Sequence, residues 1–321
     1  MIKAAVTAIG GLILIGLIVW FGGRSIGAEV WQAGWAIPIN IVIHLLQLAS
    51  AGCAWRLLVG ERQYSPFAYA RFRIVREGVN SLLPVAQIGG ALVAIRLMIK
   101  AGISGALAGA GTTLDLTVEG AMQLVFTLAG LGLLGAEGSN PEWAPWVQGG
   151  VGMAAIGLLL FVTAQRAGLM RLIEKLFIKL QKHFPNLTLE TLQGLHVELM
   201  RLQRERWALA QAALFHFASW AGGTFEVYVG LLAMGHEVSL RQAFIIECLG
   251  MAARSVGFAV PGALGVQEGG FILVGALFGI TPDMAIALSM LKRLREISVG
   301  AAGLLTWQWS ELSRWFKKRS R

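Results

Sequence analysis

The stretch Arg254–Phe271 lies inside an apolar region, yet it holds one proline, five glycines, an arginine and a glutamate. A helix that faces lipid along its whole length does not tolerate that mixture. Proline removes a backbone donor, and each glycine lowers helix propensity by about 1 kcal/mol. Irregular backbone at membrane depth persists only where protein or a water-filled cavity surrounds it. A broken or re-entrant hairpin is therefore expected over residues 242–280, a device by which transporters build a site at the bilayer midplane. A second stretch has the same build: Asn80-Ser-Leu-Leu-Pro84-Val-Ala-Gln87-Ile-Gly89-Gly90. Each places a proline shortly before Gln-x-Gly-Gly, between apolar segments, which suggests an internal repeat. The residues expected to break the helices are Pro84, Gly89 and Gly90 in the first copy. In the second they are Pro261, Gly262, Gly265, Gly269 and Gly270.

The rest of the chain agrees with a lipid setting. Charged residues make up 14% and hydrophobic ones 56%, with mean hydropathy +0.65, whereas soluble domains carry about 25% charged residues. Several apolar runs exceed the roughly 20 residues that span a bilayer. The expected fold is an all-α polytopic membrane bundle forming one integral membrane domain over 1–321. Its first half is 1–165, its second 207–321, and a basic loop covers 166–206. The net charge of +9 does not point to nucleic acid, because the basic residues crowd into loops and the tail, the positive-inside pattern. Cys53 and Cys248 sit in apolar segments and read as small buried residues.

Taken in order, residues 4–23 and 35–59 are expected spans, joined by an outside connector, Gly22–Gly34. No cleavage site follows the first apolar run, so that helix is expected to be retained. Ser65-Pro66 reads as a cap and first-turn proline opening a short helix to Glu77; Arg71, Arg73 and Arg76 put this side in the cytoplasm. The first hairpin, 79–99, enters and leaves on that side. A span over 104–135 leads to Ala136–Pro145, which has two glutamates and no lysine or arginine and is expected outside. Residues 146–165 cross back. In the following loop Leu169, Leu172, Ile173, Leu176 and Leu180 repeat at helical spacing opposite Arg171, Lys175, Lys179 and Lys182. This amphipathic helix suits either an anionic leaflet or packing against its neighbours. Residues 207–233 cross outward, the second hairpin enters from outside, and 283–309 return. Both termini are then cytoplasmic, and the two hairpins face opposite sides.

Ionisable residues within spans cost about 2.5–3.5 kcal/mol each on insertion scales and tend to face a cavity or a partner. Asp115 and Glu119 are four apart and share a helix face. Glu247 and Arg254, seven apart, are placed to pair. In the last span Lys292, Arg295 and Glu296 share a face, and Arg293 points elsewhere. Either these charges only pair with one another, or the basic groups, which outnumber acids near the last span and hairpins, hold a phosphate or carboxylate. His44 and His216 read as packing residues. No His/Cys cluster at metal-ligand spacing, no Ser/His/Asp system and no phosphate-binding loop is present, so neither metal nor cofactor is expected, nor enzymatic activity.

The motif Arg76-Glu77-x-x-Asn80-x-Leu-Leu-Pro84 with Gly89-Gly90 and Arg96, followed by Pro261-Gly-x-Leu-Gly-x-Gln267-Glu268-Gly-Gly, carries a resemblance that covers almost the whole chain. The sequence resembles the flippase-like transmembrane family named after the membrane part of lysylphosphatidylglycerol synthase. Within it, the phrases around Val79–Gly90 and Val260–Phe271 look most like hopanoid-biosynthesis-associated membrane proteins of Gram-negative bacteria. The resemblance implies an inner-membrane protein that moves a lipid between leaflets or helps to do so. Ala91 stands where many relatives have an acid, so any role of that acid is missing here. No aminoacyl-transferase domain follows the last span, so synthase activity is not implied.

The expected function is a lipid transporter in the bacterial inner membrane, with a hopanoid or phospholipid headgroup as ligand and lipid-biosynthesis enzymes as partners. The rivals are a membrane-embedded enzyme and a non-catalytic partner of lipid-synthesising enzymes. The expected substrate-binding set is Arg76, Glu77, Asn80, Gln87, Arg96, Asp115, Glu119, Glu247, Arg254, Gln267, Glu268, Arg293, Arg295 and Glu296. Arg254, Arg293 and Arg295 would hold the anion, while Asp115, Glu119 and Glu268 balance charge or carry protons.

Overall fold

The computed structural model describes residues 12, 14–60, 64–83, 89–136, 149, 189–257 and 260–319. The first break around Pro84 and Gln87, the connector after Ala136, the expected span over 146–165 and the amphipathic helix over 169–182 lie outside the described residues. All regular structure among the described residues is helical.

Helix α1, Gly23–Gln32, and α2, Ala36–Val59, are joined by a 3-10 turn at Ala33–Trp35. The expected connector Gly22–Gly34 is thus mostly helix: Gly22 takes φ 89° just before α1, and helical residues fill the space up to α2. Ser65 caps α3, Pro66–Leu82, by accepting from Ala68 N, with Pro66 in the first turn. The helix runs five residues past the expected end at Glu77 and stops at the hairpin. Then come α4, Gly89–Ala101, and α5, Gly105–Ala136. Beyond the undescribed stretch lie α6, Leu189–Leu202, and α7, Arg206–Ala233. Helix α8, Leu240–Val256, opens on a capping box between Ser239 and Gln242. A 3-10 turn at Pro261–Ala263 precedes α9, Val266–Ala276, and α10, Pro282–Arg319, closes the chain.

Two hydrophobic cores form, one around Trp55, Tyr69, Phe72 and Leu114, the other around Leu231, Ile246, Phe271 and Ile286. The outer surface reverses the pattern of a soluble protein. Trp20, Trp31, Phe67 and Trp207 are each more than four-fifths exposed, while Asp115, Glu226, Glu268 and Lys292 are at most 1% exposed. Apolar outside and ionic inside is the arrangement a bilayer demands. The Gly23–Val59 and Gly105–Ala136 segments are long and apolar enough to cross a membrane.

The halves α2–α5 and α7–α10 pack with the same pattern. Helix α3 lies on α10 as α8 lies on α5, and α2 touches α10 as α7 touches α5. The central pair α2 and α7 is antiparallel: Ser50 bonds Phe215 O, Ser219 bonds Gln47 O, and Gln47 bonds Glu226. Glycines bring α3 and α10 to backbone contact, since a Cβ on Gly78 would lie 2.5 Å from Gly300 O. In a bilayer, where no water drives helices together, such close approach is a main source of packing energy.

Candidate functional site

Buried charge gathers in two places. In the first, Arg73 and Arg76, one turn apart on α3, meet Asp115 and Glu119, one turn apart on α5. Asp115 Oδ2 accepts from Arg73 Nη1 at 3.1 Å and Arg76 Nη1 at 3.0 Å, and Arg76 Nη2 donates to Glu119 Oε2 at 2.9 Å. Arg73 Nη2 also donates to Glu119. From α7, His216 Nε2 lies 2.9 Å from Asp115 Oδ1. Asp115 and Glu119 do share a face, as their spacing predicts, and that face is filled by protein partners.

The second place surrounds the middle of α10 and divides into two connected groups. Lys292 Nζ donates to Glu226 Oε2 at 2.9 Å and to both oxygens of Glu247, at 3.1 and 2.9 Å. Arg295 Nη2 donates to the same Glu226 oxygen at 2.6 Å, and its Nη1 meets the His44 ring at 2.8 Å. The other group follows the hairpin break. Arg254 donates to Glu296 and, at 2.8 Å, to Gln267 Oε1. Gln267 Nε2 donates to Ser289 Oγ, which donates to Glu268 Oε1, both at 2.7 Å. Glu268 also accepts from Arg293 Nε and from Gly265 N, again at 2.7 Å, and Arg293 Nη1 donates to Gly262 O at 3.0 Å.

The break exists because backbone here takes conformations that helices exclude. Gly262 and Gly265 have φ of 64° and 80°, and Ala263 adopts φ 47°. A Cβ is strained in that region, which glycine enters freely. Gly269 and Gly270 do not break anything: both lie within α9, and Gly89 and Gly90 begin α4. Gly270 serves close packing instead, for a Cβ there would be 2.5 Å from Ala253 Cβ. Gly90 does the same, 2.3 Å from Arg76 O, and Gly269 has open space around it.

Several expectations about pairing are corrected. Glu247 does not pair with Arg254; one is bound to Lys292 and the other to Glu296. Arg293 is not without an acid, because Glu268 reaches it from α9. The expected surplus of cations vanishes among the described residues. Arg73 and Arg76 face Asp115 and Glu119, and four cations of the second place face Glu226, Glu247, Glu268 and Glu296. His44 and His216 join polar networks and are more than packing residues. Arg96 is exposed on α4 and enters neither cluster. Asn80 holds the first hairpin together, its Oδ1 accepting from Gly90 N at 2.9 Å. Glu77, half-buried, accepts from Ser81 Oγ at 3.2 Å and lies in electrostatic reach of Arg254. Helix α3 touches the 3-10 turn of the second hairpin.

Arg73, Glu226, Ser289 and the pairing role of Lys292 escaped the expected site. Glu226 had a signal: it is an acid inside the apolar run 207–233, and the rule that singled out Asp115 applies to it equally. Ser289 had none, as a serine in an apolar helix is ordinary by type.

A helical bundle with an apolar exterior, a broken helical hairpin and a buried ionic interior defines a polytopic membrane protein. The chain belongs to the family described as the lysylphosphatidylglycerol synthase TM region, whose model matches residues 7–303. It is thereby a membrane protein tied to lipid metabolism or transport. No curated protein and no solved structure matches it.

Proposed function

We propose that the chain moves a lipid with an anionic headgroup between the leaflets of a bacterial inner membrane, and that the headgroup docks at the break of the second hairpin. The observation that carries this reading is Arg293. Its Nη2 is buried and has no partner, and it stands beside the left-handed backbone of Gly262 and Ala263. A guanidinium with one arm fixed by Glu268 and another donor free is arranged to donate to a phosphate or carboxylate oxygen. Arg254, Gln267 and Glu268 complete the ligand set, with Glu77 of α3 as a further acid of the expected set. Glu296 holds Arg254 in place, and Arg76, Asn80, Asp115, Glu119, Glu247 and Arg295 belong to the surrounding polar scaffold.

The reciprocal packing of the halves and the antiparallel α2 and α7 support an inverted-topology repeat, the architecture in which rocking of one half against the other gives alternating access. The loop charges support cytoplasmic termini, and the resemblance within the family supports a hopanoid or phospholipid as cargo.

Binding to the native state raises the unfolding temperature. In detergent, short-chain phosphatidylglycerol should therefore stabilise the protein more than phosphatidylcholine of equal chain length, and Arg293→Gln should abolish the difference. Equal stabilisation by both lipids would contradict headgroup recognition.

A further inference from the structure

The two halves carry the same charge pair with its signs exchanged. Arg73 and Glu247 are each the eighth residue of the helix that enters a hairpin, and Asp115 and Lys292 are each the eleventh residue of the long helix that follows. Arg73 bonds Asp115, and Lys292 bonds Glu247. Each pair receives a histidine from the other half: His216 of α7 meets Asp115, and His44 of α2 meets Arg295 beside Lys292. The pairs differ in one chemical respect. Arginine does not give up its proton in proteins, whereas a buried lysine and a glutamate both do. The first carboxylate is held by two permanent guanidinium cations, whereas the second is held by a lysine that Glu226 also binds.

We infer that Glu247, paired with Lys292, is a proton-binding site that couples lipid movement to a transmembrane proton gradient. This rests on the reading of the chain as a lipid mover and adds the ion that drives it. Glu247 is 3% exposed, and among the described residues Lys292 is the partner that holds its carboxylate. A Cβ on Gly223 would lie 2.1 Å from Glu247 Oε1, so a bare glycine backbone leaves this carboxylate its place. Of the groups around the pair, Lys292 of α10 bonds Glu247 directly, and Arg254 lies seven residues on in α8 itself. Glu226 of α7 shares Lys292, and His44 and Gln47 of α2 and Arg295 of α10 contact that Glu226. The Phe271 ring of α9 lies 6.0 Å from Lys292 Nζ. The acids of α5, Asp115 and Glu119, are engaged by Arg73 and Arg76.

When a proton from water adds to a Glu247 oxygen, the carboxylate becomes a neutral acid and its ion pair with Lys292 is lost. Lys292 keeps Glu226, to which it is already bonded at 2.9 Å, and loss of the same proton restores the pair. No other bond changes. Fully buried Asn40, one turn from His44, has both amide atoms unpartnered, as are Thr224 Oγ1 and Arg295 Nε. Thr224 lies next to the Gly223 that faces Glu247, and Arg295 belongs to the His44–Glu226 network that shares Lys292. Such unpartnered polar atoms are of the kind through which a proton-carrying water chain is held.

The test has two arms. In the first, pH-titrated infrared difference spectra of the detergent-solubilised full chain should contain a protonated-carboxyl band that disappears in Glu247→Gln. In the second, vesicles of phosphatidylcholine and phosphatidylglycerol receive a gradient of about one pH unit, and a labelled phosphatidylglycerol is followed across the leaflets. At one proton per lipid the equilibrium leaflet ratio should move by up to about tenfold. Glu247→Gln, which removes the carboxylate that binds the proton, should hold the ratio near its gradient-free value. A missing band, or one that survives in Glu247→Gln, overturns the proton site. Lipid exchange in the wild type that ignores the gradient overturns the coupling and leaves lipid movement standing. A Glu247 band without any lipid exchange supports the proton site and removes the lipid reading.

Discussion

Arg293 and Glu268 are joined across two helices by a 2.7 Å bond, and the same carboxylate closes the turn at Gly265 and receives the Ser289 hydroxyl. One acid thus fixes the hairpin break and orients the guanidinium placed beside it. Removing one member of a buried pair leaves an uncompensated charge, at about 3–5 kcal/mol. Glu268→Gln should therefore destabilise strongly, and adding Arg293→Gln should recover a large part of the loss. Chemical unfolding of the two single variants and the double variant in detergent measures the cycle. Additive losses would show that the pair does not act as a unit.

The first charge cluster gives a graded expectation. Asp115 accepts from two arginines and meets His216, so Asp115→Asn should cost about 3–5 kcal/mol. His216→Phe removes one bond of the set and should cost about 1–3 kcal/mol. A smaller loss for Asp115→Asn than for His216→Phe, read by the same unfolding assay, would contradict the geometry.

Glycines in one short stretch should respond in opposite ways. A Cβ added at Gly269 would have nothing within 4 Å, and the residue lies in α9, so Gly269→Ala should be neutral or stabilise by up to about 1 kcal/mol. Gly270→Ala meets Ala253 at 2.5 Å and should destabilise by about 1–3 kcal/mol. Gly262→Ala must hold φ 64°, at a cost of about 1–2 kcal/mol. The ranking of the three unfolding midpoints checks the local backbone.

Topology follows from loop charge and from the antiparallel central pair. In a background with Cys53→Ser and Cys248→Ser, a cysteine at Glu237 should react with an impermeant reagent applied to intact cells, and one at Arg201 should not. Labelling of position 201 from outside would contradict the proposed inversion.

Much of this architecture was legible in the sequence, for physical reasons. Pro261 with Gly262 and Gly265 announces a break, because no continuous helix holds positive φ at two positions so close together. Ser65-Pro66 announces a helix start by cap chemistry. Asp115 and Glu119 share a face because their spacing is one helical turn. Partnership was not legible. Glu268 meets Arg293, and Glu247 meets Lys292, through packing of helices far apart in the chain, and periodicity along one helix carries no information about that. The same blindness turned balanced ion pairs into an expected excess of cations, since the acid on α7 that helps to balance Lys292 and Arg295, Glu226, sits alone in its span.

Leaflet exchange in proteoliposomes tests the central claim most directly. Purified wild-type protein should move a labelled anionic lipid faster than protein-free vesicles do. Arg293→Gln, confirmed as folded, should lose a charge-assisted bond of about 1.5–3 kcal/mol to the headgroup, and so slow exchange by about tenfold or more. Wild-type exchange no faster than in empty vesicles, or an Arg293→Gln rate equal to wild type, would contradict a headgroup site at the second hairpin.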